Sequence, residues 1–182
     1  PQYLLEGEPD GILDSWSDKS VSTERIKGLL GRGAALAFAM EKWERAGIWV
    51  VTRAHEDYPA RLKPRLEKNA PALFFGCGER GVLRTKGIAI VGSREATEPD
   101  LDFSRRLGHA AAEQGYSVVS GGARGVDEAA MAGSLEADGT TVGVLGNGLL
   151  QASASEKFRD HVLNRNLVLI SQEQNDKARN AS

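Results

Sequence analysis

Three glycine-containing turns in the second half of the chain carry the side chains best suited to bind an anion. Each turn follows a short apolar run; the turns are Gly92-Ser93-Arg94, Ser120-Gly121-Gly122-Ala123-Arg124-Gly125 and Gly146-Asn147-Gly148. Glycine lets the backbone approach a ligand closely, and serine donates a neutral hydrogen bond. Arginine matches a phosphate group with two parallel N–H donors. The combination predicts a phosphate or phosphodiester ligand.

The second turn is the most specific of the three. Its small residues expose consecutive backbone N–H groups just before a predicted helix, whose N-terminus favours negative charge. Asp127, in the first turn of that helix, either caps the helix and steadies Arg124 or contacts a ribose or a base. Asn147 either donates to a phosphate or base, or lies in a tight turn that needs positive φ. The candidate DNA- or phosphate-binding residues are Gly92, Ser93, Arg94, Ser120, Gly121, Gly122, Arg124, Gly125 and Asn147.

Other chemistries find no support in the residue pattern. The glycine spacing departs from Gly-x-Gly-x-x-Gly, and no acid follows at the distance that a dinucleotide site requires, so a nicotinamide cofactor is not expected. His55, His109 and His161 are scattered, and no metal site is predicted. No serine or cysteine has the context of a catalytic nucleophile. We therefore expect a binding protein without catalytic residues and without a cofactor.

Strands of a predicted parallel sheet must position these turns. The apolar runs 88–91, 117–119 and 141–145 are separated by helix-length segments, a pattern typical of βαβ units. Ligands of such folds bind outside the carboxyl ends of the strands. We therefore expect the three turns to share one edge of the sheet and to line one crevice.

The crossover helices have their own signals. Thr97 is a predicted N-cap, and a proline and an acid follow it in the first turn. The stripe of this helix that we expect to be buried consists of Phe103, Leu107, Ala110 and Ala111. A second crossover helix is predicted over about 126–137, and a third helix precedes a strand at 167–170.

The chain divides into three predicted parts. Residues 1–46 are expected to form a small N-terminal helical appendage, which either packs on the main domain or binds DNA or a partner. Residues 47–171 are expected to form the core, with two strand candidates, 48–51 and 71–76, ahead of the βαβ series. Residues 172–182 are polar and without periodicity, and are predicted to be a loop or frayed tail.

Composition limits the possible partners. The chain has 182 residues, of which 41% are hydrophobic and 26% charged, and its formal net charge is -2. Binding of nucleic acid must therefore come from a local basic site. The single cysteine, Cys77, rules out a disulfide framework. No apolar run approaches the roughly 18 residues of a membrane span, so a cytoplasmic location without a membrane partner is expected.

Taken in order, the segments 89–97, 118–130 and 142–149 resemble the DNA-processing protein A (DprA/Smf) family. Upstream, Asp57-Tyr58-Pro59 and the segment 73–78 resemble the stretch that precedes the core in that family. The resemblance covers about residues 46–171. It is fairly specific, because the motif Ser-Gly-x-Ala-Arg-Gly-x-Asp lies at the right distance from Gly-Ser-Arg.

This resemblance implies an α/β fold, an extended Rossmann-like, doubly wound and mostly parallel sheet that binds single-stranded DNA in a basic pocket. By motif position, the pocket is lined by Ser93, Arg94, Gly121, Gly122, Arg124 and Gly125. The family's roles are DNA processing in natural transformation and recombination, loading of a RecA-type recombinase, and self-association, which implies a homodimer.

The chain also departs from the family pattern. Glu98-Pro99-Asp100 is more acidic than usual, and the aromatic-proline pair expected after the third turn is absent from 150–153. The family's later arginine–asparagine pair has only a weak match here, at Arg179-Asn180. The sequence contains no winged helix. These departures predict a divergent or truncated member.

Two alternatives remain open. One is a nucleotide-binding sensor or nucleoside-phosphate hydrolase of the related Rossmann-like superfamily. Hydrolases there carry Pro-Gly-Gly-x-Gly-Thr-x-x-Glu, whereas the segment 146–149 lacks the glutamate, which favours binding over hydrolysis. The other is a core that acts mainly as a dimerisation scaffold.

Overall fold

The structure is a computed structural model of the chain, and it describes residues 13, 16 and 20–173. Arg179-Asn180 and the predicted tail from residue 174 onward lie outside the described residues, as does most of the predicted appendage before residue 20. The chain separates into two compact units, Pro1–Lys42 and Trp43–Ser182.

Two helices follow one another near the start of the described chain, in the segment that the sequence predicts to be helical. Helix α1 spans Thr23–Leu30, and Ser22 caps it by accepting a hydrogen bond from the Arg25 backbone N–H at 3.3 Å. Helix α2 spans Gly33–Arg45. In the second unit, Trp43 is buried with its ring edge-on to Phe75, 5.0 Å between ring centroids.

The second unit is built on one mixed six-stranded sheet. Its strands are β1 Ile48–Thr52, β2 Leu73–Gly78, β3 Gly87–Ala89, β4 Ser117–Ser120, β5 Thr141–Leu145 and β6 Leu167–Ser171. They lie in the order β1-β2-β6-β5-β4-β3. Strands β3 to β6 are parallel to one another, β2 is antiparallel to β6, and β1 is antiparallel to β2. This confirms the predicted α/β fold and its parallel βαβ series.

Helices alternate with the parallel strands. After the short helix α3, Leu62–Leu66, come α4 Glu98–Glu113, α5 Val126–Glu136, α6 Leu149–Ala154 and α7 Glu156–Leu163. Thr97 begins α4 as predicted, donating its backbone N–H and its hydroxyl to the Asp100 carboxylate at 3.0 and 2.6 Å. These two hydrogen bonds hold the pKa of Asp100 below its usual value.

The prediction for the buried stripe of α4 was wrong in most of its residues. Phe103 is 61% exposed and Leu107 is 42% exposed, and only Ala111 of the predicted four is buried. Ser104 and Gly108 are buried instead. The reason is close packing, because the helix turns its smallest residues toward α5 and the sheet.

The face of the sheet opposite α4 and α5 is covered by connecting segments rather than by long helices. Val82, in a 3₁₀ turn at Arg80–Arg84, packs against Val142 and Val168. Tyr58 packs against Val51 and Phe74. These contacts place the two segments that flank β2 over the sheet.

An ion-pair cluster fixes the connection after β1 to the 3₁₀ turn. The Asp57 carboxylate accepts hydrogen bonds from Arg80 at 2.9 Å and from Arg84 at 2.6 Å. The hydrogen bond from Arg80 is the largest cause of a lowered pKa at Asp57, and the charges of Arg80, Arg84 and His55 add to it. The carboxylate therefore favours its charged form in the folded protein.

Within residues 20–173, every helix is too short or too polar to cross a lipid bilayer.

Candidate phosphate-binding site

The three glycine turns lie at one edge of the sheet, as the sequence predicts. They follow β3, β4 and β5, which are parallel neighbours, so their carboxyl ends meet at the same edge. The third turn leads directly into α6, and Gly148 precedes this helix with extended backbone, φ -65°. None of residues 146–148 has a positive φ, so the positive-φ turn considered for Asn147 does not form.

The first two turns are packed directly against each other. The Val126 backbone N–H donates to the Ser93 carbonyl at 3.2 Å. Gly125 has φ +96°, and a Cβ there would lie 2.2 Å from the Ser93 carbonyl oxygen and 3.0 Å from the Arg94 Cα. Only glycine both tolerates this positive φ and leaves out the Cβ that would clash with Ser93 and Arg94. This contact brings the backbones that carry Arg94 and Arg124 close together.

Asp127 joins the same two turns through its side chain. Its Oδ1 accepts from the Gly92 backbone N–H and its Oδ2 from the Gly121 backbone N–H, each at 3.1 Å. The residue is only 7% exposed. Neither sequence interpretation foresaw this role, since the carboxylate contacts the backbone of the turns and not Arg124.

The donors that a phosphate needs are available at this edge. In the described part of the chain, the backbone N–H groups of Gly122, Ala123, Arg124 and Gly125 have no acceptor. These four donors precede the N-terminus of α5, where the helix dipole favours an anion. The arrangement supplies a run of backbone donors of the kind that binds phosphate.

The predicted cationic and polar side chains of the site are exposed. Arg94, Arg124 and Asn147 are open to solvent, and among the described residues none of the three has a hydrogen-bond or ion-pair partner. Ser93 is also exposed, and its Oγ accepts from the Glu95 backbone N–H at 3.0 Å. The Ser93 hydroxyl proton is left to donate to a ligand.

Ser120 requires a correction as a candidate binding residue. It is 2% exposed, and its hydroxyl donates to the Ile90 carbonyl at 2.7 Å. The side chain fastens β4 to the chain leaving β3 and does not reach a ligand at the surface. Sequence reasoning missed this because the last residue of a strand and the first residue of a turn look alike in a motif.

A groove of about 720 Å³ opens between α4 and α5, and Arg124 and Gly125 are part of its lining. Three acidic side chains line it, from Glu98, Asp102 and Glu128. Its second arginine, Arg105, is paired with Glu136 at 3.1 Å. The carboxylates repel phosphate, so we expect a phosphodiester chain that contacts Arg124 to avoid the acidic part of this groove.

Across the described ranges, no three histidine, cysteine, aspartate or glutamate side chains are grouped closely enough to hold a metal ion.

Comparison with known proteins identifies the family of this chain. Residues 49–182 match the family described as DNA recombination-mediator protein A. The chain belongs to this family. The resemblance seen in the sequence motifs is therefore confirmed.

Characterised relatives are longer than this chain. It is 28% identical over 181 residues to DNA processing protein DprA of Bacillus subtilis, covering 93% of this chain and 60% of that protein. It is 31% identical over 119 residues to protein Smf of Escherichia coli, covering 63% of this chain and 32% of that protein. The chain thus spans at most about three fifths of the length of these relatives.

Solved structures show the same fold. The structure of DNA processing protein A from Streptococcus pneumoniae matches with a TM-score of 0.67 and 23% identity, over 97% of this chain and 62% of that one. A structure of DNA processing protein A from Helicobacter pylori, which concerns the single-stranded DNA binding mode of that protein, matches with a TM-score of 0.52 and 20% identity, over 72% and 58%. At these identities the likeness concerns the fold.

Proposed function

We propose that this chain binds single-stranded DNA through its phosphates, along the edge formed by the three glycine turns. The observation that carries the proposal is the run of four free backbone N–H donors at 122–125, together with the exposed and unpaired side chains of Arg94 and Arg124. Backbone donors and arginine forks contact phosphates without reading bases. We therefore expect little sequence preference.

Electrostatics favour a single strand over a duplex. The net charge of -2 offers no broad basic face, and the acidic groove beside Arg124 borders the site on one side. A flexible strand can follow a narrow row of donors, whereas a rigid duplex needs a wider cationic surface. The Helicobacter pylori relative, whose single-stranded DNA binding mode is known, supports this proposal.

The biological role that we propose is DNA processing in natural transformation and recombination. We infer that the chain acts without catalysis, as a homodimer, and that it passes its strand to a RecA-type recombinase. The family description as a recombination mediator supports the last step. A reducing cytoplasm suits the single thiol, Cys77, which is buried and whose pKa is raised by that burial.

We further propose that residues 47–171 form the binding core and that residues 1–46 are an accessory helical segment. The family match from residue 49 onward supports this division.

A titration by fluorescence anisotropy tests the function. We expect a labelled oligo-dT to bind at least about tenfold more tightly than a duplex of the same length at moderate salt, because binding depends on a narrow row of phosphate contacts. A thermal-shift panel with nucleoside mono-, di- and triphosphates serves as the comparison. Equal affinity for strand and duplex contradicts the proposal. Tight binding of a free nucleotide, or its hydrolysis, favours the nucleotide-binding alternative instead.

A further inference from the structure

We propose that Asp127 is a positioning residue that holds the first two glycine turns at the separation that phosphate binding requires. This inference rests on the proposed binding of single-stranded DNA. In this proposal a buried acid next to an anion site increases the affinity for the anion, although its own charge is negative.

The hydrogen bonds of Asp127 match its chemistry. A carboxylate only accepts hydrogen bonds, and here each oxygen accepts from a different turn, Oδ1 from Gly92 N–H and Oδ2 from Gly121 N–H. Hydrogen bonds to a charged acceptor are stronger than those between neutral groups. Because both oxygens are engaged with the backbone and the residue is 7% exposed, the carboxylate is turned toward the protein.

Close packing around Asp127 and Val126 leaves little room for a side chain on Gly92 or Gly121. A Cβ on Gly121 would lie 2.7 Å from Asp127 Oδ2, and a Cβ on Gly92 would lie 2.7 Å from a methyl group of Val126. The hydrogen bond from Val126 N–H to the Ser93 carbonyl also links the two turns. Without the carboxylate, the turn that carries Arg94 loses the side-chain bridge from Gly92 to Gly121 and depends on the remaining backbone contacts for its position.

The sign of the effect separates positioning from simple electrostatics. If Asp127 acts only as a negative charge near bound phosphate, removing the charge strengthens binding. If it positions the turns, Asp127→Asn weakens binding, since the amide NH₂ of asparagine then faces one of the two backbone N–H donors. The two accounts therefore predict opposite changes in affinity from one substitution.

The experiment measures oligo-dT binding by anisotropy for the wild type, Asp127→Asn and the control Asp138→Asn. The control removes the same charge from an exposed residue with φ +54°, a backbone conformation that asparagine tolerates. We expect about tenfold weaker binding for Asp127→Asn, as for loss of one charge-assisted hydrogen bond. We expect the control to bind as the wild type does or slightly more tightly.

Two further measurements exclude a general loss of structure. In the Arg94→Ala background, Asp127→Asn should cost much less affinity than in the wild type, because the positioned arginine is already absent. Amide hydrogen exchange followed by NMR should show faster exchange at Gly92 and Gly121 in Asp127→Asn, with other amides of the sheet unchanged.

Gly121→Ala provides a second variant if Asp127→Asn does not fold. Its methyl group meets only the movable carboxylate oxygen at short range, so the carboxylate shifts and binding should again weaken. If the wild type itself does not bind oligo-dT, the proposed function fails and the inference falls with it. If the wild type binds and both variants bind equally or more tightly, only the positioning role of Asp127 is overturned.

Discussion

At the scale of single residues, the local environment decides what each polar side chain in the motifs does. Ser93 and Ser120 both stand beside a glycine turn, yet Ser93 is exposed and Ser120 is buried against the Ile90 carbonyl. Arg94 and Arg124 are exposed and have no partner among the described residues, whereas Arg80 and Arg84 are tied to Asp57. Only the first pair of arginines is free to take a ligand.

Replacing Arg94 or Arg124 by alanine should weaken oligo-dT binding by about 1–3 kcal/mol, the range for a charge-assisted hydrogen bond. Each loss should also reduce the salt dependence by about 0.7 of a slope unit per phosphate contact. Arg→Lys should recover only part of the affinity, because lysine lacks the two-pronged fork of guanidinium. Affinities measured at several salt concentrations test this.

Arg106→Ala is the matched control for that prediction. Arg106 is 71% exposed on α4 and pairs only with Asp102 of the same helix among the described residues, so its loss should change affinity and melting temperature little. If Arg94→Ala and Arg124→Ala instead lower the melting temperature by several degrees and leave affinity and salt slope unchanged, both arginines are structural.

At the scale of elements, α4 and α5 pack backbone against backbone. A Cβ on Gly108 would lie 2.0 Å from the Ala130 carbonyl oxygen, and a Cβ on Gly133 would lie 1.9 Å from the Arg105 carbonyl oxygen. A contact this close leaves no room for a side chain at either glycine. It also sets how closely the two helices, each of which follows one of the first two turns, approach one another.

Gly133→Ala should therefore destabilise the protein by about 1–3 kcal/mol or more, because the methyl group must push two helices apart. Urea unfolding followed by circular dichroism measures the change. Gly28→Ala is the matched control, since Gly28 lies within α1 and a Cβ there meets nothing within 4 Å. Alanine should stabilise that helix by up to about 1 kcal/mol. Equal effects of the two substitutions would refute the close packing of α4 and α5.

At the scale of the whole molecule, the net charge is small although charged side chains are unevenly distributed over the fold. The total is -2. Arg94 and Arg124 are unpaired at one edge of the sheet, whereas Arg80 and Arg84 form ion pairs with Asp57. Because the pKa of Asp57 is lowered by Arg80 and Arg84, folding favours the ionised carboxylate. This links the stability of the fold to pH.

The sign of that linkage follows from the lowered pKa. The stabilisation from Asp57 is present above its unfolded pKa, about 3.9, and is lost as the pH falls toward the lower pKa of the folded state. Asp57→Asn should therefore be less stable than the wild type at pH 7, and the difference should shrink below about pH 4. Thermal melts from pH 7 to below pH 4 test this prediction. The difference in stability between the wild type and Arg80→Ala should shrink over the same range. Parallel curves for wild type and variant would show that the ion pairs do not form in solution.

The sequence by itself determined the order of the elements and predicted the class of ligand that we propose. Alternating β-branched runs and glycine turns predict a parallel sheet, and the carboxyl ends of parallel strands meet at one edge. The positions of Arg94, Arg124 and Asn147 beside those turns therefore followed from local pattern alone. The bounds of α5, predicted over about 126–137 and found at Val126–Glu136, were also predicted closely, because a glycine directly precedes this helix.

Only the tertiary structure decided which side of each element is buried and which polar groups are already used. The burial of Ser104 and Gly108 in place of Phe103 and Leu107 depends on how closely α5 approaches. The engagement of Ser120 with Ile90 depends on the pairing of two strands, and that of Asp127 with Gly92 joins residues 35 positions apart in the chain. Such contacts depend on distances across the fold, and a local pattern of residue types carries no information about them.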